Sequence, residues 1–391
     1  MSGPRVLIAG AGLSGATCAR VLAEAGIQVE IREARGHVAG NCHTARCSET
    51  GVMEHVYGPH IFHTDRPEVQ AFVTRFARFR PYQHRVKARV GGQVFSLPVT
   101  LHSINQLFGT TLSPAEARAF IAARSRPPPH DGAPENFEEQ ALAMVGPEIY
   151  RAFFAGYTRK QWGCDPALLP AAILQRLPLR FSYDDRYFSH AFQAIPEAGY
   201  TALTEAILAH PRISLHLNRP ARPGDAWEEG FDHLIWTGPL DAFFGQAEGP
   251  LGYRSLRFER EVLPRCRDAQ GCAVMNYPDA DIPFTRISEH RHFAPWEDPP
   301  GTLLLREYAR DCGPGDPPFY PLRLSGEMAR LNRYLARARE AAGVSFLGRL
   351  GTYRYLDMDV SIAEALQAGT ALAEALRSGR PLPAFPGGGG A

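Results

Sequence analysis

The chain has 391 residues, with 42 lysines and arginines against 41 aspartates and glutamates, and its formal net charge is +1 at pH 7. This balance excludes the broad basic field that binding to duplex nucleic acid requires, so an anionic ligand has to be bound by a few local side chains. A chain of this length with 45% hydrophobic residues is predicted to form two or three closely packed subdomains.

The N-terminus and the cysteines predict the compartment. The chain opens directly into a strand pattern without a charged leader, and its apolar runs are far shorter than the roughly 20 residues of a membrane span. Seven cysteines without a C-x-x-C pair favour free thiols in a reducing compartment. We therefore expect a cytoplasmic protein with no membrane span and no nucleic-acid partner.

The N-terminal segment has the pattern of a strand, a glycine turn, a helix and a second strand. Arg5–Ala9 is apolar like a buried parallel strand, residues 10–15 read G-x-G-x-x-G, and residues 16–25 have helical spacing. Gln28–Arg32 is a second strand pattern that ends at Glu33, whose carboxylate can accept hydrogen bonds from ribose hydroxyls. This arrangement is typical of a dinucleotide-binding Rossmann unit.

Each glycine of the motif has its own physical task. Gly10 permits a tight turn, Gly12 lets the backbone approach a pyrophosphate, and Gly15 lets the helix pack closely on the strand. The backbone N–H groups at the start of the helix, around Leu13 and Ser14, are available to phosphate oxygens.

Two further glycine turns favour FAD over NAD as the dinucleotide. Residues 36–41 (GHVAGN) follow Glu33 and Arg35 directly, where a turn of small residues can lie beside a diphosphate. Residues 348–351 (GRLG) follow a strand near the end of the chain and can contact the flavin end of an extended cofactor. Two contacts so far apart in the sequence predict a cofactor that lies along the whole domain.

The order of these patterns predicts an α/β fold built around a discontinuous Rossmann-like FAD-binding domain. An inserted helical domain carries a mobile substrate loop, and a twisted antiparallel or mixed sheet forms the substrate domain. The predicted domains are residues 1–80 with 200–245 and 340–376 for FAD, 101–190 for the helical insert, 81–100 with 246–339 for the sheet, and 377–391 as a disordered tail.

A set of unusual motifs recurs in order along the chain. They are residues 57–64 (YGPHIFHT), 95–98 (FSLP), 156–163 (GYTRKQWG), 176–180 (RLPLR), 185–188 (DRYF), 283–290 (PFTRISEH) and 348–358 (GRLGTYRYLDM). In order and spacing, the chain from about residue 4 to residue 376 resembles the bacterial UDP-galactopyranose mutases. The resemblance implies ring contraction of a nucleotide sugar, UDP-galactopyranose to UDP-galactofuranose.

The resemblance also implies the roles of individual residues. Arg176, Arg286 and His60 are expected at the reacting centre, the two arginines on the substrate diphosphate and the histidine beside the flavin. The expected cofactor residues are Gly10, Gly12, Leu13, Ser14, Gly15, Glu33, Arg35, Gly40, Asn41, His60, Ile61, Arg349, Tyr355, Asp357 and Met358. The expected substrate residues are Phe153, Tyr157, Thr158, Trp162, Arg176, Tyr187, Asn276, Arg286, Tyr320 and Tyr355.

In this family the flavin must be reduced, and the resemblance implies that its N5 attacks the anomeric carbon while the nucleoside diphosphate leaves. The reaction is redox-neutral overall, and a homodimer is the expected assembly. Two alternatives stay open: the same mechanism on an N-acetylated, 6-deoxy or pentose nucleotide sugar, and a flavin-dependent amine oxidase. An oxidase has no reason to keep the pair of arginines, which disfavours that reading.

The chain departs from the family pattern at a few positions. Ala39 stands where the family has a second glycine, and Pro278 stands where a threonine is usual, which stiffens a segment beside the expected sugar site. His60 and His63 are spaced like a metal pair on a helix, but Pro59 disfavours a helix there and no third ligand is evident. We therefore predict no metal.

Overall fold

The structure is a computed structural model that describes residues 3–176 and 179–388. The side chains of Ala172, Gln175, Arg176 and Ser325 also lie outside the described part. Its strands, in chain order, are β1 (Arg5–Ala9), β2 (Gln28–Arg32), β3 (Thr44–Arg46), β4 (Met53–His55), β5 (Phe62–Thr64), β6 (Phe79–Pro81), β7 (Val86–Val90), β8 (Gln93–Leu97), β9 (Phe192–Pro196), β10 (Ile213–His216), β11 (His233–Trp236), β12 (Tyr253–Leu263), β13 (Val274–Asn276), β14 (Arg286–Glu289), β15 (Thr302–Asp311), β16 (Tyr320–Pro321) and β17 (Val344–Phe346).

Helices connect these strands and form one inserted layer. In chain order they are α1 (Leu13–Glu24), α2 (Pro67–Thr74), α3 (Leu101–Phe108), α4 (Pro114–Ala122), α5 (Phe137–Ile149), α6 (Gly156–Trp162), α7 (Gly199–Leu208), α8 (Asp225–Glu228), α9 (Leu240–Phe243), α10 (Ser325–Glu340), α11 (Gly348–Gly351) and α12 (Met358–Ser378). A π-helical stretch, Tyr150–Ala155, joins α5 to α6. Within the described ranges, no helix is both long and apolar enough to cross a membrane.

The first sheet is parallel and has the strand order β10-β2-β1-β11-β17. Successive side chains of β1 point to opposite faces, so Val6 and Ile8 pack with α1 and α12 while Leu7 packs with α10. Both faces are therefore buried, which explains why β1 reads as a continuous apolar run. The sheet draws on three separate parts of the chain, and the predicted α/β class with a Rossmann-like fold is confirmed.

The second sheet is mixed and has the strand order β16-β12-β15-β14-β13-β7-β8. All its neighbours are antiparallel except β13 and β7, which run parallel. Its register sets Asn276 opposite Arg286 and Arg286 opposite Glu307, while Arg254 lies opposite Tyr320. Residues far apart in the sequence therefore lie side by side on neighbouring strands.

The inserted helices pack around their own apolar core. Ser113 and Glu116 form a reciprocal capping box at the start of α4. Helix α5 is interrupted at Gly146, which has φ 74° and precedes Pro147. The core includes Phe137, Ile149 and Phe153, and it extends to the hairpin of β7 and β8. The boundaries predicted for the domains stay a prediction.

The C-terminal segment corrects one expectation, a disordered tail over residues 377–391, for its described part, while residues 389–391 lie outside the described residues. Helix α12 continues to Ser378, and the described part beyond it lies along the edge strand β17. The backbone N–H of Phe346 donates to the Ala384 carbonyl at 2.7 Å, and the Ser345 hydroxyl donates to the Pro383 carbonyl at 3.0 Å. Phe385 packs on Phe346, so aromatic packing and two hydrogen bonds hold this glycine- and proline-rich segment against the parallel sheet.

Candidate active site

A cavity of about 400 Å³ opens at the carboxyl edge of the parallel sheet. It is lined by Gly10, Glu33 and Thr237, which directly follow β1, β2 and β11. Gly348, which follows shortly after β17, also lines it. Ligands of open α/β sheets bind at this edge, because loops from several strands converge there. The cavity is lined by most of the predicted cofactor residues, namely Gly10, Gly12, Leu13, Ser14, Gly15, Glu33, Arg35, Gly40, Asn41, His60, Arg349 and Met358.

The glycines of the first turn are required for different reasons. A Cβ on Gly15 would lie 2.1 Å from the Gly10 carbonyl oxygen, so the turn and α1 can approach only without a side chain. Gly10 itself has φ 104°, a conformation that L side chains rarely adopt. A Cβ on Gly12 would meet only the Gly40 Cα at 3.9 Å. Gly12 therefore faces open space in the cavity, where a pyrophosphate fits.

Charges at the cavity are arranged for a dinucleotide. The Glu33 carboxylate accepts the backbone N–H of Ala11 at 2.8 Å and that of Arg35 at 2.9 Å, which ties the end of β2 to the first turn. The Arg35 guanidinium stacks on Tyr57 at 4.8 Å. Its buried Nη1 has no hydrogen-bond partner among the described residues, and a phosphate oxygen would satisfy it. Both groups fit the residues of a dinucleotide site.

The turn at residue 39 shows why the family has a glycine there. Ala39 has φ 71°, a left-handed conformation that costs an alanine roughly 1 kcal/mol. It is held by a hydrogen bond from its own N–H to the Ala11 carbonyl at 2.9 Å. The substitution of glycine by alanine therefore leaves the turn in place at a small cost in backbone strain.

A cluster of charged and aromatic residues is built beside the cavity by the second sheet. The Arg286 guanidinium on β14 pairs with the Glu307 carboxylate on β15 at 2.9 Å, and the Thr285 hydroxyl donates to the same carboxylate at 3.2 Å. Burial lowers the pKa of Arg286, but the facing Glu307 outweighs it and leaves that pKa well above its usual value. The arginine is thus a permanent cation with one counter-charge.

Three tyrosines near this cation, Tyr157, Tyr187 and Tyr320, have neutral phenols. Burial raises the pKa of Tyr157 to about 12 although Arg286 opposes it, and burial also raises the pKa values of Tyr187 and Tyr320. The rings of Tyr320 and Tyr355 stack with their centroids 5.7 Å apart. A cation among neutral hydroxyl donors is suited to a diphosphate.

His60 lies between the cavity and this cluster. Its Nδ1 is 2.8 Å from the Gly58 carbonyl oxygen, which can only accept, so the proton is on Nδ1 and Nε2 keeps its lone pair. Burial, then the cations Arg349 and Arg286, lower the pKa of His60 to about 4. The imidazole is therefore neutral at physiological pH. Its backbone is fixed because its N–H donates to His55 Nδ1 at 3.1 Å and its carbonyl accepts the Tyr200 hydroxyl at 3.1 Å.

Other predicted residues lie elsewhere. Ile61, Tyr355 and Asp357 are not among the residues that line the cavity, and Asp357 instead precedes helix α12 as its N-cap. Phe153 is 5% exposed and packs edge-to-face on Phe95 in the helical core, the ordinary position of an aromatic residue on a helix. Their predicted roles stay predictions.

Of the remaining substrate candidates, Thr158 and Trp162 lie on α6 and Asn276 lies on β13. Trp162 packs partly against the helical core and Thr158 is buried. The buried Oδ1 of Asn276 has no hydrogen-bond partner among the described residues, as expected for a group that awaits a ligand. The side chain of Arg176 lies outside the described part of the chain.

Two residues with evident places in this arrangement received no role from the sequence. For Glu307, nothing local in the sequence signals that strand register sets it opposite Arg286. Lys160 is one of only two lysines in the chain, and that rarity was the available signal.

A possible metal-binding group lies outside the cavity lining. Asp268, Glu289 and His292 place one ligand atom each within 4.8 Å of one another in the described residues. Glu289 already accepts two backbone N–H groups, from Ala269 and Gln270. Hydrogen bonding to Glu289 raises the pKa of His292, as expected for a cation that bridges two carboxylates. We therefore interpret the group as a set of salt bridges and hydrogen bonds that stabilises the loop around Asp268.

The parallel sheet and the cavity at its carboxyl edge define a protein of the dinucleotide-binding Rossmann class. Comparison with known proteins agrees, because residues 8–76 match the model of the NAD(P)-binding Rossmann-like domain and residues 152–355 match that of UDP-galactopyranose mutase. The chain belongs to the UDP-galactopyranose mutase family and is a sugar-nucleotide pyranose mutase, an isomerase.

Similar proteins span nearly the whole chain. A Klebsiella pneumoniae protein described as "Probable UDP-galactopyranose mutase" is 50% identical over 385 residues, covering 98% of this chain and 99% of the relative. The dTDP-fucopyranose mutase of Escherichia coli is 47% identical over 367 residues, 93% of this chain and 97% of the relative. A crystal structure of reduced UDP-galactopyranose mutase has a TM-score of 0.75 at 18% identity, covers 95% of this chain and 96% of its own, and shows the shared fold.

Proposed function

We propose that the protein interconverts UDP-galactopyranose and UDP-galactofuranose and that its dinucleotide is FAD in the reduced state. The observation that carries this proposal is the cation Arg286, which is paired with the buried Glu307 and lies among neutral tyrosines beside a dinucleotide cavity. A redox enzyme for amines has no use for such a cation, whereas a nucleoside diphosphate requires one.

The residues of the cavity fit FAD. The open space at Gly12, the unpartnered Nη1 of Arg35 and the loop at Gly348 would hold the pyrophosphate and the flavin end. When bound and reduced, a flavin supplies a nucleophilic N5 for the anomeric carbon of the sugar.

The protein's own contribution is electrostatic. Arg286 stabilises the negative charge that develops on the diphosphate as its bond to the sugar breaks, and the tyrosine hydroxyls donate to the same oxygens. Glu307 keeps the guanidinium in place before the substrate arrives. His60 is neutral and offers an acceptor at Nε2, so it can take a hydrogen bond without adding charge near the sugar.

Arg176 is proposed as the second clamp on the diphosphate, on the strength of the family motif at residues 176–180. We expect Arg176→Ala to lower turnover by about 100- to 1,000-fold, since a charge-stabilising donor contributes roughly 2.7–4 kcal/mol to a transition state. Flavin content and reduction by dithionite should be unchanged, as measured by absorbance. Near-normal turnover with full flavin content would contradict this role.

A 6-deoxy sugar on dTDP is the second candidate substrate. Identities of 50% and 47% to relatives named for different nucleotide sugars give almost no preference between them. Pro278 follows Asn276 closely, in the segment that we expect to lie near the sugar. A substitution in this segment is expected to change which sugar is bound. The homodimer and the cytoplasmic location remain proposals, and size-exclusion chromatography with light scattering tests the first.

The direct experiment is incubation of the purified enzyme with UDP-galactopyranose and with dTDP-fucopyranose, with and without dithionite. Anion-exchange chromatography separates the furanose from the pyranose form. Furanose from UDP-galactopyranose only under reduction supports the proposal. Furanose from the dTDP sugar alone selects the second candidate, and no furanose from either sugar under reduction would reject both.

A further inference from the structure

The side chain of Lys160, on helix α6, ends inside the loop that connects β13 to β14. Its ammonium donates to the carbonyl oxygens of Asp279 at 2.9 Å, Ile282 at 2.9 Å and Phe284 at 3.2 Å, and also to that of Tyr277. Four carbonyls therefore converge on one cation that has three N–H groups. Without the ammonium, these inward-turned carbonyls would have no such donor.

The same helix and loop also touch through their backbones. A Cβ on Gly156, at the start of α6, would lie 2.1 Å from the Pro278 carbonyl oxygen. The loop is closed at its base because the Tyr277 N–H donates to the Thr285 carbonyl at 2.9 Å. Helix and loop thus form one rigid unit with Lys160 at its centre.

The position of this unit connects the two sides of the substrate site. Helix α6 carries Tyr157 and Trp162, and the loop begins directly after Asn276 and ends just before Arg286. A shift between helix and loop would therefore change the distance from Tyr157 to Arg286.

A second cation holds the other end of the helix. Arg254 on β12 donates to the carbonyls of Gln161 at 3.0 Å and Lys160 at 3.2 Å, at the C-terminal end of α6. Arg254 lies opposite Tyr320 in the sheet register. The helix is consequently fixed to the tyrosine side of the site by Arg254 and to the arginine side by Lys160.

We infer that Lys160 is a positioning residue, whose ammonium fixes the loop between β13 and β14 to helix α6 and so sets the geometry in which Tyr157 and Arg286 bind a nucleoside diphosphate together. This inference rests on the proposed function, because it concerns the same substrate. It adds a residue that never contacts the substrate but determines the affinity for it.

Protonation of the amine gives a test that a merely structural role would not meet. Burial lowers the pKa of Lys160 to about 8, although Asp279 and Asp281 on the loop oppose the shift. Arg254 contacts the Lys160 carbonyl. Burial raises the pKa of Tyr277, so its phenol is neutral. As pH rises through about 8, the ammonium loses its charge and one donor, so the loop should loosen and nucleotide binding should weaken.

The experiment measures the Kd of UDP and of dTDP for the FAD-loaded enzyme by titration calorimetry from pH 7 to pH 9. For Lys160→Met, which keeps the apolar stem, we expect Kd at pH 7 to rise at least tenfold and KM to rise with it. Flavin content and absorbance should be unchanged. The wild-type Kd should rise through pH 8, and this step should be absent in the variant.

Arg159→Met is the matched control, because Arg159 precedes Lys160 on the same helix, is exposed and pairs only with Asp165 among the described residues, at 3.2 Å. Its Kd should stay within twofold of the wild type. An unchanged Kd in Lys160→Met with full flavin content overturns the inference about Lys160 but not the proposed function. A wild-type Kd that does not change with pH has the same consequence. If Lys160→Met fails to fold, the wild-type profile decides. Failure of the wild type to bind either nucleotide overturns the proposed function as well.

Discussion

At the scale of single residues, the site depends on one buried ion pair. Glu307 is almost fully buried, whereas the side chain of Arg286 is 23% exposed. In the free enzyme the carboxylate supplies the counter-charge, and a bound diphosphate would add two more negative charges to the same guanidinium. In the ion pair, the positive charge of Arg286 is therefore balanced by Glu307 until the substrate diphosphate binds.

The Glu307→Gln variant tests this competition. Removal of the charge should lower the free energy of unfolding of the substrate-free protein by about 2 kcal/mol, since a hydrogen bond to a charged partner is worth roughly that much. UDP should then raise the melting temperature more in the variant than in the wild type, because the diphosphate supplies the missing charge. Thermal denaturation with and without UDP measures both effects. Equal shifts in the two proteins would argue against the pairing model.

At the scale of elements, the turn between β1 and α1 contains glycines that are required for two different reasons. One glycine allows close backbone packing, and another leaves room for a ligand in the cavity. Gly15 is needed for folding, because any Cβ there meets the Gly10 carbonyl at 2.1 Å. Gly12 is not needed for folding, because a Cβ there meets only Gly40 at 3.9 Å. The difference lies in what each glycine faces, the neighbouring backbone or the cavity.

These positions give a matched pair of variants. Gly15→Ala should lower the stability of the flavin-free protein by at least about 2 kcal/mol, because the turn has to open to relieve the overlap. Gly12→Ala should leave that stability within about 0.5 kcal/mol but weaken FAD binding at least tenfold, because its methyl group occupies space at the pyrophosphate. Denaturant unfolding of both flavin-free proteins and FAD titration of Gly12→Ala provide the measurements. Equal losses of stability would contradict the assignment.

At the scale of the whole molecule, several buried histidines couple folding to pH. Burial lowers the pKa of His60 and of His233 to about 4 and the pKa values of His84 and His290 to about 3. Above the ordinary value of 6.5 these residues are neutral in both the folded and the unfolded chain. Below it, the unfolded chain binds protons that the folded chain refuses, so stability is lost as pH falls towards about 4.

We expect the free energy of unfolding to fall between pH 6.5 and pH 5, with each such histidine adding about 1.4 kcal/mol per pH unit. His233→Gln, which keeps an acceptor or donor for the Ser345 hydroxyl, should reduce this slope by about one histidine's share. Denaturant titrations at several pH values measure it. His292→Gln is the control, because its pKa is raised by Glu289 and its loss cannot flatten the curve. A slope unaffected in His233→Gln would refute the coupling.

Much of the fold followed from local patterns. Strands β1 and β2 were predicted with their exact bounds, because apolar runs and glycine turns act within a few positions. The prediction of a disordered tail was wrong for residues 377–388, because a glycine- and proline-rich composition gives no sign that Phe385 packs on Phe346. Local signals cannot report a contact made 39 positions away along the chain.

The sequence by itself determined the Rossmann unit and the mutase family, because the glycine motif is local and the family motifs recur in a fixed order. Only the tertiary structure decided which charges meet. The register of β14 and β15 sets Glu307 against Arg286, and the packing of α6 on the β13–β14 loop brings the Lys160 ammonium to four carbonyls. Strand pairing and helix packing are long-range, so the partners of a buried cation become visible only when the chain is folded.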